Sequence, residues 1–483
     1  MPHSRLIFKS PLKLSYFLTV HCALLCLCLA GWPLSSMAQA APATSATSSD
    51  ATRTYQLPNG MKVIVKEDKR APTVVHMVWY QAGSLDEFNG TTGVAHVLEH
   101  MMFKGTKTLK PGEFSRRVAA MGGRENAFTS QDYTAYFQQI HKRYLPDVMR
   151  LEADRMANLV LSKKEFDQEI KVVMEERRWR TDDKPQSQVY EAVQAAAFTA
   201  SPYHAPVIGW MNDLENLTYQ DARDWYQRWY APNNATLIVV GDVDAQAVYQ
   251  LAQQTYGKLR AKALPVRKPQ NEPAQIGMRR VSIKAPAENA YVLLAWKAPT
   301  LRDIEKDDDV YALSVLSAVL DGYEGARLNA QLVRANKLVL QAGASYDSTA
   351  RGPVLFYLDA TPAPGKTVAE VEQALRAQIQ QIAEQGINAK ELQRVKAQLI
   401  AGQVYKQDSI MGQAMEIAQL EMSNLSHTQR DRIVEKVRAV TAAQVQQVAQ
   451  KYFSDDTLTV GELIPQPLDP NKPKTKERAE FRH

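Results

Sequence analysis

The two halves of this 483-residue chain close in the same way. Leu217-Thr218 leads through a helical pattern to Trp229-Tyr230, then to Asn233-Asn234-Ala235-Thr236-Leu237 and Gly241. Val440-Thr441 leads through another to Lys451-Tyr452, then to Asp455-Asp456-Thr457-Leu458 and Gly461. A helix feeding a strand at the same relative place in each half predicts an α+β protein built from two homologous α/β-sandwich domains; the alternative is coincident helix-to-strand punctuation. Length agrees with duplication, because single cores rarely grow beyond about 250–300 residues.

The break between the halves is residues 261–277, rich in Pro, Lys, Gln and Asn, which reads as a linker between domains at 54–260 and 278–465. In the first domain, residues 55–57, 61–65 and 74–79 alternate like strands, with an Asn59-Gly60 turn between the first two. Residues 92–104, 110–121, 145–160 and 163–180 carry helical periodicity. In the second, strands are predicted near 280–296 and helices after Asp307, with Gly386 and Asn388 as C-cap and N-cap of two successive helices. Residues 466–483 form a polar tail.

Arg5, Lys9 and Lys13 precede an apolar run at 14–34 and an Ala38-Gln39-Ala40 cleavage pattern, so residues 1–40 are expected to be a signal peptide. A membrane anchor is the alternative, but Gly31, Pro33 and Ser35-Ser36 interrupt the run. Neither Cys26 nor Cys28 follows a small residue, which disfavours lipid attachment. A Ser/Thr/Ala-rich tether follows at 41–53. The expectation is a periplasmic or secreted protein with no stable membrane insertion once the signal is removed.

That expectation bears on chemistry. Cys22, Cys26 and Cys28 are the chain's three cysteines, and all lie within the signal segment. The exported chain could then form no disulfide and no thiolate zinc site, leaving metal to His and carboxylates. Three of the six net positive charges also lie there, and a remaining balance of +3 does not point to nucleic acid.

Residues 93–106 read Gly-Val-Ala-His-Val-Leu-Glu-His-Met-Met-Phe-Lys-Gly-Thr. On a helix His96 and His100 project from one face and can share a metal, and Glu99 lies close enough to take a proton from water that the metal polarises. This H-x-x-E-H order is an inverted zinc-peptidase signature. Two histidines leave zinc one protein ligand short, and a carboxylate is the natural third. In the acidic helix at 165–180, Glu169, Val173 and Glu176 share a face, while Glu175 is turned about 100° from Glu176. On spacing alone, an acidic helix with interspersed Lys and Arg reads as a solvated surface rather than a ligand face, and assigning it to the metal needs outside support.

From about residue 54 to 465 the sequence resembles the insulinase/pitrilysin family of zinc peptidases. The resemblance implies one zinc ion held by His96, His100 and Glu176, the last standing 76 residues after His100, with Glu99 as catalytic base and Glu169 supporting the ligands. Gly122-Gly123-Arg124-Glu125-Asn126-Ala127-Phe128-Thr129-Ser130 resembles the family's edge strand that pairs with substrate backbone, making Asn126 and Ala127 candidate substrate contacts; a plain structural strand is the alternative. Long family members carry four such domains, whereas two-domain members, such as the catalytic subunit of mitochondrial processing peptidase, work beside a second chain. The family's Arg and Tyr from the half opposite the metal have no clear counterpart near residues 352–366.

These observations lead to an expected zinc-dependent endopeptidase acting on peptides or unstructured segments. Its expected partner is a non-catalytic family subunit, or a second copy of itself. Two other readings remain: a non-catalytic, substrate-binding subunit of a peptidase complex, and an assembly protein with a structural zinc. The presence of all four candidates, His96, Glu99, His100 and Glu176, argues against the first, and Glu99 argues against the second because a structural site needs no base.

Overall fold

The computed structural model describes residues 52–468. The expected signal peptide, the tether up to residue 51 and the tail from residue 469 lie outside the described residues. Two mixed sheets organise the rest. The first contains β1 (Arg53–Gln56), β2 (Lys62–Glu67), β3 (Thr73–Tyr80), β4 (Arg124–Thr129), β5 (Thr134–His141) and β6 (Ala235–Gly241), in the order β1-β2-β6-β3-β5-β4. The second contains β7 (Arg279–Pro286), β8 (Tyr291–Ala298), β9 (Val339–Tyr346), β10 (Val354–Pro362) and β11 (Leu458–Gln466), in the order β7-β11-β8-β10-β9.

The duplication read from the chain endings extends through both sheets. β6 runs parallel to β2 and antiparallel to β3, and β11 runs parallel to β7 and antiparallel to β8. Outward from these, β3-β5-β4 and β8-β10-β9 are antiparallel throughout. The fold is therefore α+β with two sheets of one topology. The helix at Val368–Gln385 ends at Gly386, and Asn388 caps the helix at Ala389–Lys406 by accepting from the N–H of Glu391.

Central strands are apolar on both faces, and alternation sends successive residues to different cores. In β3, Val74, Val78 and Tyr80 enter a core shared with the first half's own helices, whereas Val75, Met77 and Trp79 face Ala414, Ile417, Ala418 and Met422. Those four residues lie on a helix of the second half, Ile410–Met422. The exchange is reciprocal: Val189, Val193 and Ala197, on the first half's helix Pro185–Ala197, pack on Tyr291, Leu293 and Ala295 of β8. Gly461 on β11 permits the approach, since a Cβ there would stand 2.3 Å from a methyl of Val193. Each half thus completes the other's sandwich.

Residues 261–277 contain no helix or strand, but they are tied to both halves. The Glu272 carboxylate accepts from the N–H groups of Thr199, Ala200 and Ser201 and from Lys297, and Arg267 pairs with Asp86. No helix among the described residues is long and apolar enough to cross a membrane.

Candidate metal centre

The histidine helix is short, Val94–Met101, and every residue in it is buried. Two carboxylates from outside it hold its entry. Glu87 accepts from the N–H groups of Gly93 and Ala95, both at 2.8 Å, and Asp213 accepts from the N–H groups of Gly90 and Thr92 and from the Thr92 hydroxyl. Acids at a helix N-terminus satisfy donors that the helix itself leaves open. Gly93, at φ 86°, lets the chain turn in against the loop at 208–209; a Cβ on it would meet the Ile208 carbonyl at 2.5 Å.

Four residues apart, His96 and His100 face the helix Lys163–Arg177. The oxygen Oε2 of Glu176 stands 3.3 Å from His100 Nε2 and 3.7 Å from His96 Nε2. One ligand atom from each of the three residues lies within 4.8 Å of the others, and all three residues are buried. Among the described residues this is the one group of at least three His, Cys, Asp or Glu side chains that could hold a metal. Zinc bonds of about 2.0–2.2 Å in tetrahedral array set ligand atoms roughly 3.3 Å apart; the two separations from Glu176 lie near this, and two imidazoles with a carboxylate are a donor set that suits zinc.

The neighbours orient the donors. Glu169 Oε1 lies 2.9 Å from His100 Nδ1, which therefore donates there and turns Nε2 towards Glu176. Lys104 holds the other oxygen of Glu169 at 2.5 Å. Burial opposes a charged His100, but hydrogen bonds to Glu169 and Glu176 outweigh it and raise its pKa to about 9. Burial likewise opposes ionised Glu176; His100, His96 and Arg180 overcome it and bring it down to about 2. Arg180 reaches the second Glu176 oxygen at 2.9 Å, from the turn beyond the helix. Glu175, by contrast, is exposed and pairs with Arg178.

Glu99 is 2% exposed, and burial pushes its carboxyl up to about 7 against the pull of His100 and a Thr129 hydrogen bond. The Thr129 hydroxyl donates to Glu99 at 2.5 Å, and Thr129 ends β4, the outermost strand of its sheet. On β4, Asn126 is exposed, whereas the Ala127 side chain is buried and leaves its main chain as the means of contact.

The sequence-read residues His96, Glu99, His100, Glu169 and Glu176 therefore meet at one place, with Asn126 and Ala127 on the adjoining edge strand. Thr129, Lys104, Arg180 and Glu87 were not singled out from sequence. Thr129 lies inside the quoted strand segment, and the others are common charged residues whose targets only the fold defines. Replacing Glu169 by Gln should leave the fold intact and lower zinc affinity or activity by roughly 10- to 100-fold, as loss of a ligand-orienting carboxylate does. Metal titration of the purified variant against a chelator of known affinity would measure this.

Residues 62–209 match the model of the insulinase family, peptidase family M16, and residues 216–399 match that of the peptidase M16 inactive domain. The second match agrees with a candidate metal centre that, among the described residues, lies in the first half alone. A Helicobacter pylori zinc protease, PqqE, is 32% identical over 418 residues, which is 85% of this chain and 92% of that one. The beta subunit of the mitochondrial-processing peptidase of Lentinula edodes is 24% identical, over 84% of this chain and 88% of its own. A crystal structure of a protease from Helicobacter pylori superposes with a TM-score of 0.82 at 30% identity, covering 86% of this chain and all of that one. Given the insulinase-family match and a relative 32% identical over 85% of its length, the chain belongs to the insulinase family of zinc peptidases, M16.

Proposed function

We propose that this protein is an exported zinc endopeptidase that cleaves extended, unstructured polypeptide and works beside a second chain of its own family. The hydrogen bond from Thr129 to Glu99 carries the reading, because it joins the base to the strand along which a peptide would pair. Among the described residues β4 has a strand on one side only, and pairing along its other edge reads main chain while tolerating many side chains; the Ala127 N–H, which donates to Asn126 Oδ1 at 2.9 Å, would exchange that partner for the peptide. His96, His100 and Glu176 would hold zinc, which when bound supplies Lewis-acid chemistry. Glu99 takes the proton from the attacking water and passes it to the leaving amine. Arg180 and Glu169 keep Glu176 and His100 aimed. A peptide paired along β4 must be extended over the paired length, which an unstructured segment can adopt without unfolding.

A partner would supply the wall opposite β4, hold the peptide against Glu99 and exclude water, an orientation effect worth several kcal/mol in favourable cases. The subunit designation of the Lentinula relative supports work beside another chain; a non-catalytic family chain is the proposed partner, with a second copy of this chain as the other arrangement. The basic, apolar and small-residue pattern at the N-terminus supports export to the periplasm.

The test is hydrolysis of an unstructured polypeptide by the purified exported form across a wide concentration range, with and without an exported family chain lacking H-x-x-E-H. Internal cleavage that rises steeply with concentration or partner is expected. Release of single terminal residues would contradict endopeptidase action. High, constant specific activity from a species that sizes as a monomer throughout would contradict the partner.

A further inference from the structure

Strand β4 is positioned by the turn that ends it, and the second half of the molecule grips that turn. Ser130 and Gln131 are held from their own half, their carbonyls accepting from the N–H groups of Ser84 and Leu85 at 3.2 and 2.8 Å. Asp132, 6% exposed, is held from both halves. Its carboxylate accepts from the Tyr203 hydroxyl and, at 2.8 Å, from the backbone N–H of Arg351; its carbonyl accepts from the Arg351 guanidinium at 2.9 Å. The Tyr203 hydroxyl in turn accepts from the N–H of Gly352 at 2.9 Å.

Arg351 and Gly352 lie just before β10, in a loop that is itself fixed. The Arg302 guanidinium donates to the carbonyls of Ala350 at 2.7 Å and Arg351 at 2.5 Å. Arg351 also reaches Asp86 at 3.4 Å, and its side chain is 8% exposed. The contacts across the halves are short, largely shielded from water and mostly made to main chain, so they fix where the backbone runs. Tyr203 adds a second path, because its loop continues to Ile208 and Gly209, which pack on Gly93 at the start of the histidine helix.

We propose that Arg351 is a positioning residue for peptide hydrolysis. Through Asp132 it sets β4, and with it Thr129, so that a peptide paired along the edge lies in line with Glu99. The inference rests on the peptidase reading above and gives the second half, which holds no metal centre among the described residues, a defined part in the reaction. A shift of about 1 Å at a distance from the reacting atoms can cost roughly 100-fold in rate.

The experiment uses the full exported chain loaded with zinc, and the variants Arg351→Ala, Arg351→Lys and Tyr203→Phe. Zinc content, thermal midpoint, kcat and KM on an unstructured peptide of about ten residues are measured, a length that spans the six residues of β4. Binding of the same peptide is measured separately in a Glu99→Gln background. Arg351→Ala should keep its zinc, bind peptide about 10-fold more weakly and lose roughly 30- to 100-fold in kcat/KM. Arg351→Lys, still able to donate to the Asp132 carbonyl, should recover to within about 3-fold of the unmodified protein, and Tyr203→Phe should fall between.

Zinc-loaded Arg351→Ala with unchanged kcat/KM and peptide affinity would overturn the proposal. So would a fall in activity matched by an equal fall in zinc or folded protein that Lys does not rescue. If Arg351→Ala does not fold, Tyr203→Phe and Arg351→Lys decide, and unchanged kinetics in Tyr203→Phe would count against it. Failure of the unmodified protein to cleave any peptide would instead overturn the peptidase reading, and the Glu99→Gln binding series would still test the positioning of β4.

Discussion

Glu99→Gln should retain zinc at the level of the unmodified protein and lose peptide hydrolysis by at least about 10³-fold, within or beyond the usual worth of a positioned proton acceptor. The substitution is nearly isosteric, and Gln can still accept the Thr129 hydroxyl through its amide oxygen, so the helix and β4 should stay in place. What goes is the group that takes the proton. Glu99 is not among the three residues whose ligand atoms converge, so metal content should be unaffected. Metal analysis after dialysis, paired with hydrolysis of an unstructured peptide, separates the two roles. Parallel loss of zinc and activity would make Glu99 a ligand or a structural residue rather than the base.

The second large effect is expected at the donors. His96→Ala, His100→Ala and Glu176→Gln should each lose zinc as well as activity, by more than the roughly 10- to 100-fold expected of an orienting neighbour such as Glu169. Each change removes one of three protein donors, and in Glu176→Gln a carboxylate held ionised down to about pH 2 becomes a neutral amide. Arg180 would then face an uncharged partner, so some loss of stability should accompany loss of metal. Zinc retained by Glu176→Gln but lost by Glu175→Gln would show that the third ligand had been assigned one residue out.

How far the sequence could be read followed the range of the interactions. The four-residue spacing of His96 and His100 is set within one helical turn, so their shared face needed no tertiary information. The duplicated helix-to-strand endings are local too, and the matching strand orders extend them to both sheets. Glu176 was different: periodicity put it on a face with Glu169 but favoured a solvated helix, and only the family resemblance selected it. The edge position of β4 could not be read from Asn126 or Ala127, because edge and centre differ in neighbours rather than in pattern.

The reciprocal exchange of the helices Pro185–Ala197 and Ile410–Met422 had no local signature at all. Their apolar faces look like those of any helix packing on its own sheet, and the largely apolar strands β3 and β8 say only that both faces are covered. The carboxylates of Glu87 and Asp213 at the head of the histidine helix were hidden for a related reason. Both lie in polar stretches that read as turns or surface, and their targets come from chain folded back over them.

The most direct test of the zinc assignment is a crystal structure of the exported chain grown with zinc, with anomalous differences collected on both sides of the zinc absorption edge. A single strong peak per chain is expected, about 2.0–2.2 Å from Nε2 of His96, Nε2 of His100 and an oxygen of Glu176, and absent below the edge. A zinc peak elsewhere with none between these three side chains, or no peak in crystals of an active protein, would contradict it.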